Sequence, residues 1–256
     1  MTYINLPGVN LWYTDSGGDG TPVVLLHAAS GNADSWVHQV PDFTAAGLRC
    51  IAYDRRGWGR SRPDPAADQP GYLADDLAAL LDHLGVTAAH LVSTAAGGAI
   101  AMDFALGHPA RVRSMVLADA SAGVQEPEYL DAQHRLRPPP IEGLPVELRE
   151  LSPRYRTFNA EGFQRWIEIA RNSRQAGWEN QRSRNVANYA ALETLRVPTL
   201  VLVGQADLMT PAATARLYAA HIPNHRFETV AEAGHGSHWE QPETWNPIVL
   251  DFIRQH

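Results

Sequence analysis

Short apolar runs punctuate the chain at intervals that leave room for a helix between them. Residues 9–15 (VNLWYTD) alternate apolar and polar, the signature of a half-buried strand, and SGGDG after them supplies a turn. PVVLLH (22–27) is instead a continuous apolar run, as a strand buried on both faces would have, and LRCIAYD (48–54), AAHLVS (88–93), VRSMVLAD (112–119) and VPTLVLVG (197–204) read as further, mostly apolar strands. HRFETVA (225–231) predicts a last strand. Between them, a helix begins near Ser35, and Leu73, Leu77, Leu80, Leu81 and Leu84 share one face of a helix ended by Gly85. Further helices fall at 96–107, at PAATARLYAAHI and from about Glu243 to Arg254. Strands alternating with helices of this length imply a mostly parallel sheet with helices on both faces.

The rhythm breaks from Ser121 to Arg196. No strand pattern occurs there; Phe163, Trp166, Ile167 and Ala170 recur at helical spacing, and RPPP and the Pro/Asp-rich PDPAADQPG (63–71) read as rigid loops. This stretch holds 11 of the 21 arginines and 10 of the 28 acids, leaving the rest of the chain strongly acidic. The shift marks 121–196 as an insertion between two parts of one core, 1–120 and 197–256.

The run LVSTAAGG ends a strand, forces a sharp turn and opens an alanine-rich helix. That is the context in which a nucleophile sits on a strained turn above the C-terminal edge of a sheet. The small-x-nucleophile-x-Gly pattern falls on Ser93, Thr94, Ala95, Ala96 and Gly97, so alanine occupies the nucleophile position. On these residues the chain resembles the α/β-hydrolase family, in particular its lidded serine esterases and lactonases. The resemblance implies an eight-stranded sheet with 121–196 as a helical cap. It further implies an oxyanion hole from the backbone N–H groups of Ala29 and Ala96, Ala29 following His27 and Ala28 where the family has His-Gly. Asp54, Gly57, Gly59 and Ser61 match the family's Asp-x-x-Gly-x-Gly-x-Ser turn, a structural loop.

Acyl transfer by a serine needs a base to take its proton and a carboxylate to orient that base. In this fold the order is nucleophile, acid, histidine. Asp207 in VLVGQADLMTP and His235 in EAGHGSHWEQP follow in that order at strand ends, through the family's Gly-x-x-Asp and Gly-His segments, with Gly204 and Gly234 in place. Asp119, in VLADAS, is an alternative acid. Ser93 and Thr94 stand one or two residues off the turn and cannot stand in for the nucleophile. His27, Trp58, Trp166, Trp178 and Tyr189 are candidates to line a substrate pocket, which with Trp36, Tyr155 and Phe158 favours a hydrophobic ester or lactone.

Composition removes other chemistries. The 256 residues include no lysine, which sets aside phosphate-binding loops and Schiff-base catalysis. A net charge of −7 disfavours nucleic acid and anionic membranes as partners, leaving a small-molecule substrate and an open oligomeric state. Cys50 alone can form no internal disulfide and reads as a small buried hydrophobe, and His235 with His238 lacks a third zinc ligand. No metal or organic cofactor is implied. No apolar run reaches the roughly 18 residues of a membrane span, and the N-terminus has no basic and apolar leader pattern, so a cytoplasmic bacterial-type enzyme is expected. Three readings of Ala95 stay open: a serine hydrolase disarmed so that it holds its ester or lactone unreacted; a natural ligand-binding member; and an enzyme using His235 as a base without a covalent step. Carbon–carbon bond hydrolysis by the same triad is a further possibility.

Overall fold

The computed structural model describes residues 2–64, 71–137 and 139–256. Its strands are β1 (Thr2–Leu6), β2 (Val9–Asp15), β3 (Thr21–Leu26), β4 (Leu48–Tyr53), the two-residue β5 (Arg62–Pro63), β6 (Ala89–Thr94), β7 (Val112–Ala118), β8 (Thr199–Gly204) and β9 (His225–Val230). Eight of them lie in one sheet in the order β1-β2-β4-β3-β6-β7-β8-β9, and β5 pairs with β2. The pairs β1/β2 and β2/β4 are antiparallel, and every pair from β4/β3 to β8/β9 is parallel. An α/β-hydrolase sheet is therefore present. Strand β1, too short and polar to stand out as a run, and the two-residue β5 are the strands the apolar pattern missed.

Helices α1 (Gln39–Ala45) and α11 (Pro242–Arg254) cover one face, and α2 (Leu73–His83), α3 (Gly97–Gly107) and α9 (Ala212–Ala219) cover the other. Successive strand residues point to opposite faces. Val24, Leu26, Leu91, Leu117, Val201 and Val203 accordingly pack on α2, α3 and α9, while Val23, Leu25, Val92, Val116, Leu200 and Leu202 pack on α1 and α11. Cys50 is buried in the second layer. The helix anticipated near Ser35 is a 3-10 turn, Ala33–Trp36, followed by α1.

Between β7 and β8 lie α4 (Pro127–Leu136), α5 (Val146–Glu150), α6 (Pro153–Phe158), α7 (Ala160–Arg171) and α8 (Tyr189–Thr194). The segment is laced to the sheet's loops rather than resting on them. Gly59 N donates to Ser173 O at 2.8 Å, Gln175 N to Gly57 O at 2.9 Å, and the Gln175 amide to Ser61 O at 2.8 Å. Asp103, buried on α3, accepts from Ala74 N, Arg184 N and Asn185 N. Trp178, Ala187, Leu192 and Leu195 join the main core. Residues 65–70 of the Pro/Asp-rich loop and Pro138 of the RPPP break lie outside the described residues. No helix among the described residues is long and apolar enough to cross a membrane.

Helix α3 approaches the sheet so closely that a Cβ on Gly97 would stand 2.1 Å from Leu26 O. Backbone oxygen cannot rotate away. Gly97→Ala is therefore expected to lower the unfolding free energy by about 1–3 kcal/mol, the usual cost of overpacking, read as a lower urea midpoint with unchanged slope.

Candidate active site

The sharp turn between β6 and α3 places Ala95 in the left-handed region, with φ +47°. A non-glycine residue held there costs about 1–3 kcal/mol and persists only where its surroundings over-determine it. Here Ala95 N donates to Ala118 O at 2.9 Å and Gly98 N returns to Ala95 O at 3.0 Å. Ser93 is committed elsewhere, its hydroxyl donating to Val116 O at 2.6 Å, and the Thr94 side chain is buried in the sheet.

Ala95 opens on a cavity of about 260 Å³ whose floor includes Ala29 and Ala96. Ala29 is fixed through its carbonyl, which accepts from the Trp58 indole at 2.7 Å. Asp54 braces the same region: its carboxylate accepts from Ala33 N and Arg60 N, each at 2.7 Å, and Ser61 donates to its carbonyl. A Cβ on Gly59, at φ +51°, would stand 2.2 Å from the Asp54 carboxylate, so glycine is required there.

His235 forms one wall, with Nδ1 2.9 Å from Asp207 Oδ2. Asp207 Oδ1 accepts from Met209 N at 2.7 Å and Thr210 N at 2.9 Å, which fixes the carboxylate plane. Asp119 is also buried here, but it does not pair with the imidazole. Its oxygens accept from Gly204 N at 2.7 Å and from Ser237 N at 3.1 Å, joining the end of β8 to the loop that carries His235. That loop begins α10 (Ser237–Glu240), whose Glu240 accepts from Gly234 N and Ser152 N.

Burial disfavours charge on His235, yet Asp207, its hydrogen bond, Glu150 and Asp119 together push it up to about 9. Burial and the nearby Asp207 push the Asp119 carboxyl well above the usual range. The opposite cavity wall was missed by sequence reasoning: Ser30, Glu150, Arg149, and Gln133 and Arg137 from the α4 end. An Arg or Glu in a mixed-charge helical segment reads as solvated until the segment's docking is known. The adjacent Arg149-Glu150 just before the apolar Leu151 was the available signal.

None of the five anticipated pocket residues is among the described lining. His27 spends both ring nitrogens on backbone, 2.7 Å from Ala28 O and 3.1 Å from Arg55 N, and burial pushes it down to about 3. Trp58 is held by guanidinium groups, Arg55 at 3.7 Å and Arg174 at 4.1 Å from its ring centroid. Trp166 packs with Leu151, Tyr155, Ile167 and Trp239, Trp178 belongs to the main core, and Tyr189 stacks on His221 at 3.7 Å. Each aromatic found neighbours inside the fold, which left a cavity lined by the small or flexible apolar residues Ala29, Ala95, Ala96 and Met209 together with polar side chains. His238 is buried against Trp36 and Trp245, and burial pushes it down to about 3. Among the described residues no three His, Cys, Asp or Glu side chains group as metal ligands.

A strand–turn–helix elbow over a mostly parallel sheet, with a His–Asp pair at the same sheet edge, defines a protein of the hydrolase class. The chain belongs to the alpha/beta hydrolase family, whose sequence profile matches residues 23–247. It is 30% identical over 260 residues, 95% of this chain and 90% of the relative, to a 2-hydroxy-6-oxononadienedioate/2-hydroxy-6-oxononatrienedioate hydrolase of Paraburkholderia phymatum. Among solved structures it is similar to a thermophilic esterase from Thermogutta terrifontis, with TM-score 0.83, 25% identity and coverage of 100% of this chain and 99% of the other. An enol-lactonase from Burkholderia xenovorans shares the fold, with TM-score 0.82, 22% identity and coverage of 99% and 100%.

The raised His235 makes a signed prediction. Its pairing contributes stability that is fully present below the ordinary histidine value of 6.5 and is lost as pH rises through about 9. NMR titration should place its midpoint near 9, and Asp207→Asn should bring that midpoint down by more than one unit. A midpoint at or below 6.5 in the unaltered protein contradicts the electrostatic account.

Proposed function

We propose that this chain is a hydrolase of the carboxylic ester and lactone type whose Ser-His-Asp apparatus carries alanine at the nucleophile position. It binds its substrate carbonyl over Ala95 without forming an acyl-enzyme. The observation carrying this is the His235–Asp207 pair, 2.9 Å apart, on the same cavity as Ala95, Ala29 and Ala96. The N–H groups of Ala29 and Ala96 would hold the carbonyl oxygen, an arrangement worth a few kcal/mol in a transition state and independent of side chain 95. Asp207 would orient His235, the base for a hydroxyl at residue 95. Residues 121–196 serve as the cap that closes this cavity.

The lining is of mixed character. Arg137, Arg149 and Gln133 stand beside Glu150, Asp119 and the apolar Ala29, Ala95, Ala96 and Met209, which suits an acyl compound carrying a polar or acidic group on an apolar frame. The same arginines favour a second reading, carbon–carbon bond hydrolysis of a diketone-type acid, in keeping with the dioate named for the Paraburkholderia relative.

Losing the nucleophile costs an unrelated serine protease about 10⁶ in kcat, so Ala95→Ser should raise hydrolysis of the right substrate by about 10³-fold or more. The panel is an aryl ester, a lactone, carboxylate-bearing versions of both, and a vinylogous diketone acid. Adding His235→Ala to Ala95→Ser should remove the gain. No gain on any member defeats the proposal, and a gain confined to the diketone acid selects the second reading.

A further inference from the structure

Glu150 is the one carboxylate in the described lining besides Asp119, and Asp119 spends its oxygens on Gly204 N and Ser237 N. It ends α5, and two hydrogen bonds tie it to the site's loops. Its backbone carbonyl accepts from Gly236 N at 3.1 Å, beside His235, and its Oε2 accepts from the Ser30 hydroxyl at 2.5 Å, next to Ala29. The turn around Gly234 leaves no slack: a Cβ there would stand 2.7 Å from Glu150 O and 2.8 Å from Ser152 N. Glu150 is therefore positioned by both loops that form the candidate site, with its carboxylate facing the cavity that His235 and Ala95 share.

The geometry points to Glu150 as a catalytic general base, taking a proton from a water that attacks the bound carbonyl directly where residue 95 offers no nucleophile. This rests on the proposed carbonyl site but not on a covalent mechanism. The water oxygen bonds to the carbonyl carbon and gives a proton to Glu150, while the C=O electron pair moves onto the oxygen held by Ala29 N–H and Ala96 N–H. Collapse breaks the bond to the leaving alkoxide, which takes a proton from the His235 imidazolium. Proton return from Glu150 to His235 through solvent restores the site, and ester plus water gives acid plus alcohol.

The division of labour follows from the charges facing Glu150. Burial raises its carboxyl above the ordinary value and Asp207 adds to this, while His235, the Ser30 hydroxyl and Arg149 favour the ionised form. His235, pushed up to about 9, holds its proton at neutral pH and is the acid of the pair.

The test measures steady-state hydrolysis of p-nitrophenyl acetate and a carboxylate-bearing aryl ester by the unaltered protein, Glu150→Gln, Ser30→Ala, Ala95→Ser and Ala95→Ser with Glu150→Gln. Thermal melts check folding. The unaltered protein should turn over slowly, with a solvent deuterium isotope effect and no acyl adduct by mass spectrometry. Glu150→Gln should lose about 10²-fold, in the range that a positioned base supplies. Ser30→Ala, which removes a hydrogen bond to the carboxylate, should move the acid limb of the pH–rate profile upward. In the Ala95→Ser background the loss from Glu150→Gln should be under tenfold, because serine replaces the water. Unaltered protein no faster than buffer, or folded Glu150→Gln as fast as unaltered protein, overturns the proposal. A missing gain on Ala95→Ser counts against the serine-type function alone.

Discussion

Everything in the candidate site is referred to one strained turn. Ala95 sits at φ +47° because β6 ends under Ala118 O while α3 must start against the backbone of Leu26, and no relaxed conformation meets both demands. The strain of about 1–3 kcal/mol is supplied by sheet and helix packing, not by any contact of side chain 95. The elbow therefore keeps its shape when its side chain is only a methyl. The neighbouring N–H of Ala96 and the direction of Cβ at 95 are properties of the fold.

The histidine side is built by a different device, buried carboxylates used as backbone connectors. Asp119 joins Gly204 N to Ser237, and Glu240 joins Gly234 N to Ser152 N, so the loop bearing His235 is tied to β8 and to the inserted segment. A buried carboxylate without partners would be costly, and these accept from backbone donors instead. Asp119 has a second, electrostatic effect, shared with Asp207 and Glu150. A concentration of acids around one imidazole holds its proton, which is why His235 lies at about 9 despite its burial.

What could be read from the sequence follows from the range of the forces involved. Strands β3, β4, β6, β7 and β8 are buried on both faces, so local composition reveals them, and Asp207 comes with the end of β8; His235 follows the partly buried β9 and was placed by its Gly-His segment and by order in the chain. Strand β1, with the burial of an edge, carries no such run. The aromatic residues misled for a related reason. Trp166 and Trp178 have the size to line a pocket, but the same size makes them the cheapest filling for the space between the segment and the sheet, and they were used there. Glu150 left only a faint local signal, the charged pair Arg149-Glu150 before the apolar Leu151. Its meaning depends on Ser30, 120 residues away, and on Gly236 in a third loop.

In the proposed reading, alanine at residue 95 leaves the histidine with no hydroxyl to serve. In a serine triad the imidazole must be neutral to accept the hydroxyl proton, and the single carboxylate behind it stabilises the charge only as it forms. Around His235 the charge is already stabilised, by Asp207 directly and by Glu150 and Asp119 at longer range. With no hydroxyl to receive from, an imidazolium at rest is suited to giving a proton to a leaving oxygen or to attracting an anionic ligand. Arg137 and Arg149 line the same cavity as Glu150 and Asp119, so its wall carries both signs of charge. The raised imidazole thus suits the proposed water route, in which His235 protonates the leaving oxygen while Glu150 takes the proton of the attacking water.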